Sequence, residues 1–386
     1  MNLSLLLLPL LVQDAPSAPQ AEAALDRFEA VREHIGGRME DGAYVSVVAA
    51  VEVDGERAFT HADGGIEQDA VFRIFSMTKP ITAVAALMLV DEGKLDLDAP
   101  LGEYLPEFAE AEVLVDGERV PAEQPILVRD LFRHTSGLTY GFFGNSDVDQ
   151  LVNGADLYSG DLARFSRLLG ALPLKHQPGT RFEYSLSSDV LGRVVEVVSE
   201  ETLSDYFEAH IFAPLAMDDT GFWVPADQLD RIPPTYSRTR EGLVQQDDSG
   251  MPSADTVPPL FLGGAGLYST AGDYLRFCQM LLQGGALGEV RLLKEETVEA
   301  MFTDQLGDRT GSIMLYGGGF GLGLAVTKRT PRGAGPAAGT GWWGGAAGTG
   351  FWIDRERNIT GVFMIQNWME MGHQTQFQSA VYKALD

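Results

Sequence analysis

The chain has 386 residues, enough to bury a large core in one or two domains. Hydrophobic residues make up 45% and charged residues 22%, the balance of a soluble globular protein. Acidic residues outnumber basic ones 55 to 28, a formal net charge of -27, which argues against nucleic acid and anionic membrane surfaces as partners, since both need a basic patch.

Residues 1–12 are Leu-rich and give way to Ala15-Pro16-Ser17-Ala18-Pro19, which is small and polar. This is the pattern of a signal peptide, with a small-x-small cut site at Ala21-Glu22-Ala23, though no Lys or Arg precedes it. Residues 1–21 are set apart on that ground, and export to a periplasm or the exterior is expected. No later stretch is long enough and apolar enough to span a bilayer. Residues 25–35 read as an amphipathic helix. Residues 44–53 are β-branched and predict a strand, with Asp54-Gly55 as the hairpin turn and residues 57–61 returning. Residues 71–75 lead into Ser76-Met77-Thr78-Lys79 and an apolar run, 81–90. In that run Ile81, Val84, Ala85, Met88 and Leu89 share one helical face, and Gly93 suits its C-terminal cap.

From residue 94 to about 262 strand-like runs become rare. Helices are expected over 127–134, 161–172, 190–198 and 202–211, and 235–259 reads as a long surface loop. From Gly263 the texture changes back. The Gly-rich passage 263–270 precedes a helix over 273–283, and another helix covers 294–303. Strand-like runs follow over 320–328, 350–354 and 359–366, then a closing helix over 374–385. The expected fold is α/β (α+β): a mainly antiparallel sheet flanked by helices, built from 22–93 and 263–386, with a mostly helical domain, 94–262, inserted between them.

Chemistry concentrates at three places. Ser76 and Lys79 lie three apart at a helix start, so they share a face. A serine hydroxyl is a weak nucleophile until something takes its proton, and a partly buried amine one turn away can do so. The helix N-terminus also offers N–H groups to a developing oxyanion. Tyr184, at an extended-to-helix turn, is a second proton-transfer group, and a neighbouring ammonium favours its phenolate. Gly341-Trp342-Trp343-Gly344-Gly345-Ala346 is the third, because glycines let a strand edge approach a substrate. There the N–H of Ala346 and that of Ser76 make a candidate oxyanion hole. The single cysteine, Cys278, lies in an apolar helical pattern and reads as a buried residue. The six histidines form no His-x-x-x-His pair, so no metal is expected. There is no Gly-x-Ser-x-Gly elbow and no phosphate loop, and no cofactor is expected.

The order of these elements resembles the serine β-lactamase and penicillin-binding-protein family, in particular its class C and family VIII carboxylesterase branch. The resemblance runs from about Tyr44 to the C-terminus. It rests on Ser76-Met77-Thr78-Lys79, His134-Thr135-Ser136-Gly137-Leu138, Pro178-Gly179-Thr180 through Tyr184-Ser185, residues 264–270, and Trp343-Gly344-Gly345. It implies that Ser76 is the acylated nucleophile, Lys79 its activator and Tyr184 a general acid or base. Two positions depart from the β-lactamase pattern. Leu186 replaces the Asn of Tyr-x-Asn, and Trp343-Gly344-Gly345 replaces Lys-Thr-Gly. Both changes remove groups that hold an anionic β-lactam. The expected substrates are therefore small neutral esters, with Trp342, Trp343, Leu186 and Phe142 as pocket walls. A β-lactamase or D-amino-acid peptidase, and a non-catalytic sensor, are the rival readings.

Overall fold

A strand that is apolar on both faces needs cover on both, and Val47–Val53 (β1) is such a strand: six of its seven residues are buried. The computed structural model, which describes residues 27–246, 253–309 and 318–386, shows how the chain supplies that cover. The expected signal peptide falls outside the described residues. Asp54 and Gly55 both take positive φ, 55° and 81°, and this turn returns the chain as Glu56–Asp63 (β2). The other strands follow late in the chain: Gly319–Phe320 (β3), Ala325–Val326 (β4), Gly341–Gly344 (β5), Gly350–Asp354 (β6) and Ile359–Met364 (β7). Their order across the sheet is β3-β4-β5-β6-β7-β1-β2, antiparallel throughout. The run expected as one strand over 320–328 is split into β3 and β4. The N–H of Gly321 donates to the carbonyl of Leu324 and turns the chain between them.

Five helices matter for the site and its support: Glu29–Glu40 (α1), Thr78–Asp91 (α2), Ser187–Ser199 (α3), Ala271–Leu282 (α4) and His373–Leu385 (α5). Alternate residues of β1 serve opposite faces of the sheet. Val47, Ala49 and Val51 pack with α1 and α5, through Val31, Ile35, Phe377 and Val381. Val48 and Ala50 join the larger core that holds α2, α3 and α4. The structure corrects the one-sided reading of α2, because all twelve residues from Thr78 to Leu89 are buried. A helix that is apolar all round belongs inside the protein, and α2 is the central helix of this fold.

The described residues of 94–262 give no strand to the large sheet. They carry Val128–Phe132, Asp147–Gly154, Leu162–Gly170, α3 and Leu203–Phe207. They also hold two small hairpins that differ from expectation. Glu112–Val115 pairs with Glu118–Pro121, turning at Asp116 and Gly117 with φ of 51° and 85°. Asp-Gly is the same signal that marks β1 and β2. Tyr236–Thr239 pairs with Gly242–Gln245 inside the stretch expected as loop. No helix among the described residues is long and apolar enough to cross a membrane.

Trp352 of β6 is buried beneath α5, edge-on to Phe377 at 5.7 Å. It faces Gly361, where a Cβ would stand 2.2 Å from the indole. Trp352→Ala is expected to destabilise the fold by about 3–5 kcal/mol. Urea unfolding of the two proteins checks this, and a difference below about 1 kcal/mol contradicts the packing described.

Candidate active site

Ser76 sits in a tight turn, Phe75–Met77, that runs directly into α2. Phe75 holds a φ of 44°, a conformation costly for a bulky residue, immediately before Ser76. Lys79 is one turn on and only 2% exposed. A buried ammonium needs a partner for each N–H. Nζ of Lys79 donates to Ser76 Oγ at 3.1 Å, to Tyr140 Oη at 2.8 Å and to the Gly264 carbonyl at 2.6 Å. It also lies over the rings of Tyr184 and Tyr140, 4.8 and 5.2 Å from their centroids. Tyr184 Oη donates to Ser76 Oγ at 2.7 Å. Ser76, Lys79 and Tyr184, 108 residues apart at the extremes, therefore meet at one oxygen.

Tyr140 and Asp189 complete this arrangement, and sequence reasoning missed both. Tyr140 lies just past the His134–Thr139 stretch, and its hydroxyl is the second acceptor for Lys79. Burial, then the adjacent Tyr184, pushes Tyr140 well above the usual phenol range, so it stays protonated. Asp189, in the first turn of α3, accepts from the Gly264 N–H at 2.8 Å. It thus holds the N–H of the residue whose carbonyl Lys79 uses. Burial raises its carboxyl to about 6 against the pull of Lys79 and the Gly264 N–H.

His134 holds the ring of Tyr184. Its φ is 53°, and its ring meets Tyr184 edge-on at 4.9 Å. Its Nδ1 accepts from the Ser185 N–H at 3.3 Å, which leaves the proton on Nε2. Burial, then the charge of Lys79, holds it well below the usual histidine range, so the imidazole is neutral. Its ring also packs on Phe182 and Phe320, at 5.8 and 5.4 Å between centroids, and so serves the surroundings of Tyr184.

β5 forms the opposite wall. Trp343 is buried against Tyr184 and Phe320, each at 5.3 Å between ring centroids. The turn that follows passes against the segment before Ser76. A Cβ on Gly345 would stand 2.3 Å from the Ile74 carbonyl, so only glycine fits. The Gly345 N–H donates to the Thr349 carbonyl, and the Ala346 carbonyl accepts from Met369. Among the described residues no hydrogen bond takes up the Ala346 N–H, and Ala346 and Ser76 line the same cavity.

That cavity is about 460 Å³ and opens on Ser76 and Tyr184. Phe143, Trp342, Trp343, Gly344, Gly345, Met369 and Met371 line it, with Gln374, Thr375 and Gln376 also in its wall. Among the described residues no charged side chain contributes. Two expected walls are corrected. Leu186 does not face the cavity. It stands at the N-terminus of α3, 1% exposed, with its side chain in the core. Phe142 points outward, 58% exposed, and Phe143 beside it lines the cavity instead. Phe143 is itself 47% exposed, so it stands at the cavity mouth, and the loop turns at Gly141 with φ 86°. Met369 and Met371 carried no sequence signal. They arrive through the turn between β7 and α5. No group of three or more His, Cys, Asp or Glu among the described residues is placed to hold a metal.

Ser76 therefore has a short contact to a hydroxyl that can move a proton and to a buried ammonium. Among the described residues it faces an uncharged cavity, beside an N–H that no hydrogen bond takes up. This arrangement suits acyl transfer through a serine.

Comparisons with known proteins bear on the fold as a whole. The family model described as Beta-lactamase matches residues 31–377. Protein Rv1367c of Mycobacterium tuberculosis is 38% identical over 336 residues, 81% of this chain and 82% of its own. Esterase EstB of Burkholderia gladioli is 33% identical over 351 residues, 84% of this chain and 86% of its own. Among solved structures, EstCE1, described as a hydrolase with promiscuous acyltransferase activity, superposes with a TM-score of 0.76. It is 27% identical, and the match covers 95% of this chain and 99% of that one.

Asp189 gives the site a pH signature. An unfolded aspartate ionises near pH ~4, so between there and about 6 the native state binds more protons than the unfolded state. Stability then falls as pH rises through that window. Asp189→Asn keeps an oxygen for the Gly264 N–H and escapes the loss. The stability of D189N relative to the parent should rise by on the order of 2 kcal/mol between pH ~4 and ~6.5, then level off. Urea unfolding at several pH values measures this, and a difference that stays constant with pH contradicts it.

Proposed function

The chain belongs to the beta-lactamase family, and from that premise we propose that it hydrolyses small, uncharged carboxylic esters through an acyl-enzyme on Ser76. One observation carries this reading. A cavity without charge and lined by aromatic rings and methionines opens on Ser76 Oγ, the oxygen that Lys79 and Tyr184 both bond. A β-lactam or a peptide with a free C-terminus brings a carboxylate, which needs a cation to meet it once it leaves water. A neutral ester brings no such demand, and its acyl group gains from the apolar walls.

In the reactive form Tyr184 has lost its proton and stands as phenolate beside the Lys79 ammonium; Ser76 Oγ attacks the ester carbonyl and passes its proton to Tyr184 Oη, 2.7 Å away. Negative charge grows on the carbonyl oxygen, where the N–H groups of Ser76 and Ala346 receive it. Tyr184 Oη then returns the proton to the departing alcohol. Water repeats the sequence on the acyl-enzyme and releases the acid. Lys79 is held by Tyr140 and the Gly264 carbonyl throughout, so its charge is in place before reaction and need not reorganise. EstB is named an esterase, which supports this substrate class.

A second reading concerns the acceptor. The apolar walls at Phe143, Met369 and Met371 discourage water and leave room for an alcohol beside the acyl group. Transfer of the acyl group to an alcohol then competes with hydrolysis. The description of EstCE1 points the same way.

Turnover of p-nitrophenyl butyrate and of nitrocefin, with and without added short alcohols, tests both readings. The ester is expected to exceed nitrocefin in kcat/KM by about two orders of magnitude. Ser76→Ala is expected to lower ester turnover by on the order of 10⁴-fold or more. Nitrocefin turnover equal to that of the ester, or ester turnover unchanged in S76A, overturns the assignment. An ester product formed from the added alcohol supports the second reading.

A further inference from the structure

The two tyrosines around Lys79 come from separate parts of the chain. Tyr140 lies in the loop 139–146, and Tyr184 follows the segment that ends at Glu183. Neither is in a helix or strand, so something else must fix their spacing. Behind them lies a charge group centred on Lys175, with His176 Nε2 at its margin, 3.6 Å from Glu183 Oε2. Lys175 Nζ is 2.7 Å from Glu183 Oε1, and 3.2 and 3.1 Å from the two oxygens of Asp149. The side chains of Asp149, Glu183 and Lys175 are 1%, 15% and 16% exposed, so solvent screens these contacts weakly.

Each carboxylate is tied to one of the tyrosines. Asp149 closes both ends of the loop that carries Tyr140. One oxygen accepts from Thr139 Oγ1 at 2.6 Å, and the other from Ser146 N and Oγ at 2.9 and 2.7 Å. Burial works against its charge, but the hydrogen bonds from Thr139, Ser146 and Lys175 outweigh it and hold the carboxyl down at about 2. The loop also presses on this group. A Cβ on Gly144 would stand 2.2 Å from an Asp149 oxygen and 3.0 Å from Lys175 Nζ. Glu183 is bonded through the backbone to Tyr184, and its N–H donates to the carbonyl of His134, whose ring holds Tyr184.

We infer that Lys175 is a positioning residue for the reaction. Its ammonium joins Asp149 to Glu183, and so sets the distance between the loop of Tyr140 and the segment of Tyr184 on either side of Lys79. Without it two carboxylates face each other, one of them fully buried, and they repel. The loop then withdraws, Tyr140 leaves Lys79, and the proton-transfer pair loses its alignment. The inference rests on the acyl-enzyme reading of Ser76, and the outcomes below keep the two apart.

The test compares Lys175→Met and Lys175→Arg with the parent on p-nitrophenyl acetate, whose short acyl group makes little use of the Phe143 wall. In K175M kcat should fall about ten- to hundredfold while KM stays within about threefold. K175R, which keeps a cation between the carboxylates, should recover most of that kcat. A crystal structure of K175M should show Lys79 Nζ and Tyr140 Oη beyond hydrogen-bonding distance. Parental kcat in K175M, or a loss of kcat with both tyrosines unmoved, overturns the inference. If K175M does not fold, Glu183→Gln removes charge and keeps size. A kcat loss of a few-fold at unchanged KM is then expected, and parental kcat in folded E183Q overturns it. If the parent turns over no ester at all, the acyl-enzyme reading fails, and the Lys79–Tyr140 distance in K175M still decides the positioning claim.

Discussion

A lysine ammonium held 2% exposed inside a protein is the constraint to which this structure answers. Left unpaired, such a charge costs several kcal/mol, a large part of what a domain has in hand. Lys79 escapes that cost because three oxygens from three parts of the chain converge on it. One is on the turn before its own helix, one on the loop at Tyr140, and one on the Gly-rich passage at Gly264. Asp189 backs the third of these and supplies a buried negative charge nearby. The helix that carries Lys79 is buried on every face, so it cannot tilt to relieve a missing partner. The contacts that make the charge tolerable are also the ones that place it against Ser76.

The acidity of the chain and the neutrality of its cavity belong together. With a net charge of -27 the outer surface repels anions, and the cavity adds no cation to recover them. Recognition inside it therefore falls to shape and apolar area. Trp343 serves both ends of this arrangement, lining the cavity while packing on the ring of Tyr184. A group that sets substrate class is thus in contact with one that moves the proton, so the two properties are not independent. Methionines at the rim fit the same picture, since their flexible thioethers adapt to acyl chains of varied shape.

What was legible in the sequence was local. Ser76 and Lys79 are one helical turn apart, and a short spacing on a periodic helix can be read without the fold. Asp54-Gly55 gave its hairpin for the same reason. The identical Asp116-Gly117 was overlooked because the strands beside it are only four residues each. Tyr140 and Asp189 could not be found this way. They reach Lys79 and Gly264 across 61 and 75 residues, and their meaning lies in the approach alone. The Tyr-x-Asn motif points to Leu186 as a cleft residue, and Phe142 is an apolar candidate wall, yet neither lines the cavity. Side-chain direction is set by the local fold: Leu186 sits at a helix start with its side chain in the core, and Phe142 stands 58% exposed. Departures from a family motif told which groups the cleft lacks, but not which residues took their place.

The central claim is that an acyl group passes through Ser76. Rapid acid quenching of the enzyme during turnover of p-nitrophenyl butyrate, followed by peptide mass spectrometry, tests it most directly. The account predicts a mass increase of one butyryl group on the peptide that contains Ser76, localised to that serine. Turnover with the butyryl group on another residue, or with no covalent adduct under conditions that trap one in a known serine esterase, would contradict it.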